Sequence, residues 1–174
     1  MLITICPIPA SYWLLEGQLL AGEYAGALMR DRAADKLHLF LEAGIRTFID
    51  LTETSEPLAR YDSLLTELAC NRGLECRYRR FAIKDAGVPT AEQMTEILAA
   101  INTELEQGRA VYVHCWGGIG RTGTVAGCWL VEQGLSADDA LARVQLLRWG
   151  KHEQCLRSPE TDEQCDFVRG WQTK

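Results

Sequence analysis

Short apolar runs alternate with longer amphipathic stretches along this chain, and turn residues separate them. Runs with strand character cover 45–51, 76–83 and 110–113, and 14–21 predicts a hairpin that turns near Glu16 and Gly17. A last helix is expected from about Pro159, and apolar positions recur with the helical period over 33–43, 58–71, 90–107, 121–133 and 136–149. Strands that alternate with helices predict a single α/β domain over residues 1–174, with a central, mostly parallel sheet flanked by helices.

The ends of the predicted helices carry signals of their own. Thr90 and Ser136 are expected N-caps, because their hydroxyls can accept hydrogen bonds from free N–H groups of the first turn. Gly44, Gly73 and Gly108 are expected to end the helices that precede them. Because ligands of open α/β sheets bind at the carboxyl ends of the strands, the residues after 76–83 and 110–113 are the first candidates for a site.

The segment from His114 to Thr122 follows the strand at 110–113 and leads into the next helix. Cys115 and Arg121 bracket five residues, three of which are glycine. A loop at a helix start directs backbone N–H groups and the positive end of the helix dipole into one concavity, which suits a phosphate. Arg121 can add a bidentate contact to two phosphate oxygens. The same field favours the thiolate of Cys115, which is the nucleophilic form.

The sequence of this loop matches the signature of the protein tyrosine phosphatase superfamily. It is His-Cys-Trp-Gly-Gly-Ile-Gly-Arg-Thr. With Gly-Gly inside the loop, it most resembles compact dual-specificity-type phosphatases of the kinase-associated phosphatase group. The resemblance extends from about Trp13 to Trp171. It implies the cysteine-dependent phosphatase fold, a nucleophilic Cys115, a phosphocysteine intermediate, and a reaction without cofactor or metal.

The resemblance also assigns roles within the loop. Arg121 would hold the equatorial phosphate oxygens, and Thr122 would donate a hydrogen bond to the Cys115 sulfur. His114 is expected to orient the loop rather than to act as a base. Trp116 could form a wall for an aromatic ring or pack against the neighbouring helix. The phosphate would be held by the loop residues Trp116, Gly117, Gly118, Ile119, Gly120 and Arg121.

Two aspartates compete for the role of general acid. Asp85 lies in a stretch from Ile83 to Pro89 that contains Gly and Pro and resembles the mobile general-acid loop of the superfamily. There it would protonate the leaving oxygen in the first step and act as base when the phosphocysteine is hydrolysed. Asp50 also lies near a strand end, but it sits within an apolar run with no Gly or Pro beside it. We therefore favour Asp85.

The stretch from Ser158 to Gln164 resembles the segment that positions the hydrolytic water in many members of the superfamily. Gln164 is the candidate for that role, with an exposed helix position as the alternative interpretation. The family pattern often has glutamine four positions earlier, where this chain has Glu160. Since a carboxylate repels a phosphate, we expect Glu160 to turn away from the site.

Composition and charge limit the kinds of partner that this chain can bind. A net charge of −6 and a pI near 5.1 argue against nonspecific nucleic-acid binding. No apolar run reaches membrane-spanning length, and the beginning of the chain lacks the basic residues of a secretory signal. Seven cysteines without a C-x-x-C pair indicate a reducing, cytoplasmic setting. We expect a monomer whose partner is a phosphorylated protein, with no nucleic acid and no membrane.

Two further hypotheses about cysteines are set aside. His152 and Cys155 are spaced like metal ligands, but the sequence offers no further paired ligands nearby. Cys128 could pair with Cys115 in a redox reaction, but we expect the loop and helix between them to place the two cysteines far apart.

These observations predict a phosphatase that hydrolyses phosphate monoesters on proteins, with phosphotyrosine as the first candidate and phosphoserine and phosphothreonine as further ones. The uncharged loop interior argues against a polyanionic lipid headgroup, because enzymes of that type usually carry lysines there. A phosphoprotein-binding pseudophosphatase is one alternative, although such a module has no need of Cys115, Arg121 and Asp85 together. A rhodanese-like or Cdc25-type enzyme is another, disfavoured by the Asp85 stretch and by the segment ending at Gln164.

Overall fold

The computed structural model describes residues 5–150 and 156–172. This part of the chain contains the strands β1 (Ser11–Leu15), β2 (Leu19–Gly22), β3 (Ile45–Asp50), β4 (Arg77–Arg80) and β5 (Ala110–His114). It also contains the helices α1 (Arg30–Glu42), α2 (Asp62–Asn71), α3 (Ala91–Glu106), α4 (Gly120–Glu132), α5 (Ala137–Arg148) and α6 (Asp162–Gly170). The predicted alternation of strands and helices is confirmed.

The strands form one sheet in the order β1-β2-β5-β3-β4. Only the hairpin pair β1 and β2 is antiparallel, and Gly17 turns the hairpin with a φ of 70°. The pairs β2–β5, β5–β3 and β3–β4 are parallel. A central, mostly parallel sheet was predicted, and β5 lies in its middle because its side chains are apolar on both faces.

Helices cover both faces of the sheet, and β5 shows how the alternation of side chains divides the core. Tyr112 points to the face covered by α1 and α2, where it packs with Phe40 and Phe48. Val111 and Val113 point to the opposite face, where α3, α4, α5 and α6 pack. Successive residues of a strand point to opposite faces, so one short strand contributes to both halves of the core.

Several boundaries differ from the sequence prediction. Helix α2 begins at Asp62 rather than at residue 58, because 58–60 form a loop in which the Ala59 carbonyl accepts a hydrogen bond from the Tyr24 hydroxyl. Strand β4 ends at Arg80, although Phe81 still donates a backbone hydrogen bond to Asp50 at the end of β3, and Ile83 donates to the next residue, Leu51. Helix α6 begins at Asp162, three residues past the expected start, where a capping box fixes its first turn.

The parallel register brings three strand ends together. Asp50 at the end of β3 pairs with His114 on one side and with Arg80 on the other. The loops that follow β3, β4 and β5 therefore meet at one edge of the sheet, as expected for an α/β ligand site. Within residues 5–150 and 156–172, none of the helices has the length and apolar character needed to cross a bilayer.

Candidate active site

The loop between β5 and α4 forms the floor of a cavity of about 250 Å³. Cys115 lies at its base and is 3% exposed. The cavity walls come from the loop itself, from the stretch after β4 and from the segment before α6, and they comprise Asp85, Ala86, Cys115, Trp116, Gly117, Ile119, Gly120, Arg121, Leu156 and Glu160. Most of the site residues predicted from the sequence are thus brought to a single cavity.

Gly118 shows why this loop needs glycine. Its φ is 69°, in the left-handed region. A Cβ at this position would lie 2.3 Å from the carbonyl carbon of Gly22, which belongs to the neighbouring strand β2. Gly118 is not among the residues that line the cavity, so its contribution is to let the loop backbone approach the sheet closely enough to close around Cys115.

Arg121 is 2% exposed and already has anionic partners. Its Nη1 and Nη2 donate to the two carboxylate oxygens of Glu56 at 2.6 and 3.1 Å. Nη1 also donates to the Ile83 carbonyl at 3.2 Å, and Nη2 lies 2.9 Å from Oδ1 of Asp85. Among residues 5–150 and 156–172 these contacts engage both terminal nitrogens, and none reaches Nε. A phosphate bound by two nitrogens of Arg121 must therefore displace one of these partners.

Glu56 was not identified from the sequence. It lies in the loop after β3, its side chain is 8% exposed, and it holds Arg121 in a bidentate pair. Burial opposes its charge, but the hydrogen bonds from Arg121 and from the Glu53 N–H, together with the positive charge of Arg121, hold the pKa of Glu56 below its ordinary value. One hint was available from the sequence, since 52–57 is a polar loop that directly follows a buried strand.

Asp85 and Asp50 occupy very different places. Asp85 lies on the cavity wall with its side chain 68% exposed, and it is held near Arg121. Asp50 is fully buried, and it accepts hydrogen bonds from Thr52, Tyr78 and Arg80. Burial would raise the pKa of Asp50. The attraction between its carboxylate and the neighbouring His114 imidazole in its protonated form, together with these hydrogen bonds, holds that pKa below its ordinary value. Asp50 does not line the cavity.

His114 lies behind the loop and is completely buried. Its Nδ1 is 3.1 Å from the Cys115 carbonyl oxygen, and its Nε2 is 2.6 Å from the Tyr61 hydroxyl. A carbonyl can only accept, so Nδ1 carries the proton and Nε2 accepts from Tyr61. Burial lowers the pKa of His114, although the nearby Asp50 opposes this. The geometry agrees with a residue that orients the backbone at Cys115.

Thr122 is buried at the start of α4, and its hydroxyl donates to the Gly22 carbonyl across a long 3.5 Å. The hydrogen bond from Thr122 to the Cys115 sulfur that the resemblance implies stays a prediction. Trp116 is 47% exposed and stands on the cavity wall. Its backbone carbonyl accepts from the Tyr24 N–H at 2.8 Å, which anchors the loop to the segment after β2.

Gln164 is fully buried, so the interpretation of an exposed helix position is wrong. Its Oε1 accepts from the backbone N–H groups of Glu160 and Thr161 at 3.0 and 3.1 Å. Its Nε2 donates to the Gly87 carbonyl at 3.0 Å. The side chain therefore ties the Asp85 stretch to the segment before α6. Its assignment to the hydrolytic water stays a prediction.

Glu160 does not turn away from the site, contrary to the sequence expectation. It lies on the cavity wall, and its Oε2 would be 3.1 Å from a Cβ built on Gly120. The reason is local. The hydrogen bond from its N–H to Gln164 and the one from the Ser158 hydroxyl to the Ile119 carbonyl, 2.7 Å long, hold this segment against the loop.

Cys128 is buried in α4, where burial raises the pKa of its thiol. The pair His152 and Cys155 lies outside the described residues. Among residues 5–150 and 156–172 no cluster of side chains has the composition of a metal site.

A cysteine at the end of a central parallel strand, under an arginine and beside two carboxylates, defines a cysteine-based site for a phosphate group. Residues 25–135 match the family model described as polymorphic toxin system, DSP-PTPase phosphatase. The chain belongs to this family. The resemblance to compact dual-specificity phosphatases and the predicted fold are confirmed.

Other proteins resemble the chain over different lengths. An uncharacterized protein of Methanocaldococcus jannaschii is 36% identical over 86 residues, which are 49% of this chain and 53% of that protein. The structure of Tk-PTP in its active form has a TM-score of 0.65 and 26% identity, over 92% of this chain and 95% of that one. Kinase associated phosphatase shares the fold, with a TM-score of 0.65 and 20% identity over 91% and 90% of the two chains. The chain spans about half the length of the first curated relatives it matches.

Proposed function

We propose that this chain is a cysteine-dependent phosphatase of a single domain that hydrolyses phosphate monoesters on proteins, foremost phosphotyrosine, and also phosphoserine and phosphothreonine. One observation carries the proposal: Cys115, Arg121 and Asp85 line the same cavity, at the carboxyl edge of a parallel sheet. A nucleophile, a fixed cation and an exposed carboxyl group are the components that a phosphoryl transfer through a covalent intermediate requires.

In the first step the Cys115 thiolate attacks phosphorus and a sulfur–phosphorus bond forms. The bond from phosphorus to the leaving oxygen breaks, and Asp85 supplies the proton that this oxygen needs. The loop N–H groups and Arg121 stabilise the charge that develops on the equatorial oxygens. In the second step Asp85 acts as base and takes a proton from the water that attacks phosphorus, and the sulfur–phosphorus bond breaks with its electron pair left on Cys115 as thiolate. A nucleophile of this kind stays active in a reducing compartment, and we place the protein in the cytoplasm.

The pseudophosphatase alternative shares the fold and the phosphate loop, so the reacting groups decide between the two functions. A module that only captures phosphoproteins needs the phosphate loop with Arg121, but it does not need a carboxyl group that reaches the leaving oxygen. Asp85 is exposed on the cavity wall and only 2.9 Å from Arg121. This position favours turnover over capture.

The test is an assay of phosphotyrosine, phosphothreonine and phosphoinositide substrates side by side, with EDTA present throughout. We expect release of phosphate from the two phosphoprotein-type substrates and none from the phosphoinositide. The Cys115→Ser variant should bind a phosphotyrosine peptide without releasing phosphate. No release from any substrate by the wild-type chain, with binding retained, would instead support the capture module.

A further inference from the structure

A second cavity, of about 260 Å³, adjoins the catalytic cavity, and Trp116 lines both of them. The other walls of the second cavity come from the segment between β2 and α1, from α1 itself and from the loop that precedes α2. Its lining includes Glu23, Leu28, Lys36, Pro57 and Ala59. The proposed reaction uses none of these groups, although they lie next to the site that would hold the phosphorylated residue.

Hydrogen bonds hold the walls of the second cavity together. The Trp116 carbonyl accepts from the Tyr24 N–H at 2.8 Å, and the Tyr24 hydroxyl donates to the Ala59 carbonyl at 3.1 Å. Gly26 lets the two segments approach each other, because a Cβ built there would lie 3.2 Å from the Ala59 carbonyl oxygen. The cavity is therefore formed before any ligand arrives, which lowers the entropic cost of binding.

The two charged side chains named in the lining neutralise each other. Nζ of Lys36 lies 2.7 Å from Oε1 of Glu23 and also donates to the Tyr24 carbonyl. A charged group that entered the cavity would lose its hydration without gaining a free partner. An uncharged side chain is therefore the favoured occupant. The paired Lys36 also disfavours an anionic lipid surface, which unpaired cations would attract.

Two apolar side chains of the lining are open to solvent. Leu28 is 89% exposed and Trp116 is 47% exposed. Single apolar residues on a surface are common, but these two border a preformed cavity that shares a wall with the catalytic cavity. An exposed apolar patch in such a place is typical of a site that is covered when a partner binds.

We propose that the second cavity is a substrate subsite, which binds an apolar side chain one or two positions away from the phosphorylated residue of a protein substrate. This inference rests on the proposed function. Successive residues of an extended peptide are about 3.3–3.6 Å apart. A peptide whose phosphorylated residue occupies the catalytic cavity therefore reaches the neighbouring cavity, past Trp116, within two residues.

A loop of the chain also connects the two cavities. Glu56 holds Arg121 at 2.6 Å in the catalytic cavity, and the next residue, Pro57, lines the subsite. The same short loop thus positions the phosphate-binding arginine and forms part of the wall that the neighbouring substrate residue would contact. Trp116 and this loop make the two cavities parts of one continuous surface.

The experiment measures kcat/KM for phosphotyrosine peptides that differ at one position only. Each of the two positions on either side of the phosphotyrosine carries leucine, alanine, aspartate or lysine in turn, and phosphoinositides with short and long acyl chains are assayed in parallel. Wild type is compared with Leu28→Glu and with the matched control Leu39→Glu. Leu39 is a 45% exposed leucine of α1 that lines neither cavity.

At one of the four positions we expect wild type to prefer leucine over alanine by about 10-fold in kcat/KM, as is usual for an apolar pocket, and to disfavour aspartate. Leu28→Glu should lose the preference for leucine and prefer lysine at the same position, because the new carboxylate attracts the ammonium group. Leu39→Glu should keep the wild-type pattern. A merely structural effect of the substitution would slow all peptides alike and would not exchange leucine for lysine.

Hydrolysis of all peptides with equal kcat/KM would overturn the subsite and leave the proposed function intact, and so would the same change of preference in Leu39→Glu. A preference for long acyl chains, with none among the peptides, would assign the cavity to a lipid and also overturn the inference. Absence of phosphate release from every substrate by the wild type would refute the proposed function and this inference with it.

Discussion

Arginine and carboxylate groups form clusters at both ends of the sheet. At the amino ends of the parallel strands, the buried Glu104 of α3 accepts from Thr47, Arg77 and Arg109. At the carboxyl ends the arrangement is inverted, and the buried Arg121 is surrounded by Glu56, Asp85 and a backbone carbonyl. In the first cluster the three partners of the carboxylate lie in strands β3 and β4 or directly before β5.

In the second cluster one partner, Asp85, is largely exposed and belongs to a connecting loop. The difference shows that the same pairing chemistry can hold a fold or prepare a reaction, depending on whether one partner is free to exchange. We refer to the two sets as the Glu104 cluster and the Arg121 cluster. The predictions below test whether stability depends on the first and turnover on the second.

The largest effect is expected for Cys115→Ser, which removes the nucleophile beside the Arg121 cluster. Turnover should fall by on the order of 10³-fold or more, because a serine hydroxyl is a far poorer nucleophile at neutral pH. The melting temperature should stay close to that of the wild type, since the substitution keeps the size of the side chain. A variant that retains more than about a hundredth of the wild-type rate would exclude Cys115 as nucleophile.

The next effect concerns the exchangeable partner of the Arg121 cluster. Asp85→Asn should slow hydrolysis of phosphotyrosine by about 10²–10⁴-fold, the usual range for general acid catalysis, and should barely affect an activated aryl phosphate. Asp50→Asn is the control, and it should lower the melting temperature without changing the dependence on leaving group. The reverse pattern would transfer the role to Asp50.

A matched pair of substitutions then compares the clusters directly. Glu56→Gln should lower kcat/KM by about 10–10²-fold, because misplacement of Arg121 weakens its alignment with the phosphate. Glu104→Gln should instead lower the free energy of unfolding by about 3–5 kcal/mol, because it breaks a buried ion pair, and should leave kcat unchanged. Urea unfolding and steady-state kinetics on both variants decide this. Equal effects of the two substitutions on both quantities would remove the distinction between the clusters.

The smallest expected effect is on the pH dependence of stability. It differs between His114, at the carboxyl ends of the strands, and the Glu104 cluster at their amino ends. Burial lowers the pKa of His114 below its ordinary value of 6.5, so the unfolded chain takes up a proton more readily than the folded one. Its contribution to stability is full above pH 6.5 and is lost as the pH falls through the folded pKa. This loss should be absent in His114→Gln when urea unfolding is measured at a series of pH values.

The Glu104 cluster should respond at lower pH. Burial opposes the charge of Glu104, but the hydrogen bonds from Arg109 and Thr47 outweigh it and hold its pKa below the ordinary 4.5. Its contribution is present above pH 4.5 and is lost only as the pH falls through the lower folded value. A Glu104→Gln variant should lack this loss of stability below pH 4.5 and should keep the loss below pH 6.5 that comes from His114.

The sequence predicted the strands, most helix boundaries and the cavity residues near Cys115, because these depend on local patterns. Period-two runs, capping residues such as Thr90, and the spacing of Cys115 and Arg121 are all readable within a few residues. Thr90 does cap α3, with its hydroxyl accepting from the Gln93 N–H. The alternation of strands and helices predicted a mostly parallel sheet, but it did not predict the strand order β1-β2-β5-β3-β4.

What could not be predicted depends on contacts between distant segments. Glu56 meets Arg121 only because β3 and β5 are neighbours in the sheet, and no local pattern marks the pair. Glu160 was expected to avoid the site on electrostatic grounds, yet backbone hydrogen bonds to Gln164 and contacts with the phosphate loop place it there. The loop at 58–60 replaced a predicted helical turn because a tyrosine far along the chain bonds to Ala59.

The ion pair between Arg121 and Asp85 has a consequence for how a substrate enters. A phosphate that takes the place of Asp85 at Nη2 exchanges one anion for another, and a phosphate monoester carries about one negative charge more than a carboxylate at neutral pH. The binding free energy measured for a phosphate ester is then the difference between its own interaction with Arg121 and the interaction of Asp85 that it replaces. The same exchange frees the carboxyl group of Asp85 at the moment the ester oxygen arrives, so substrate entry and release of the acid are a single event.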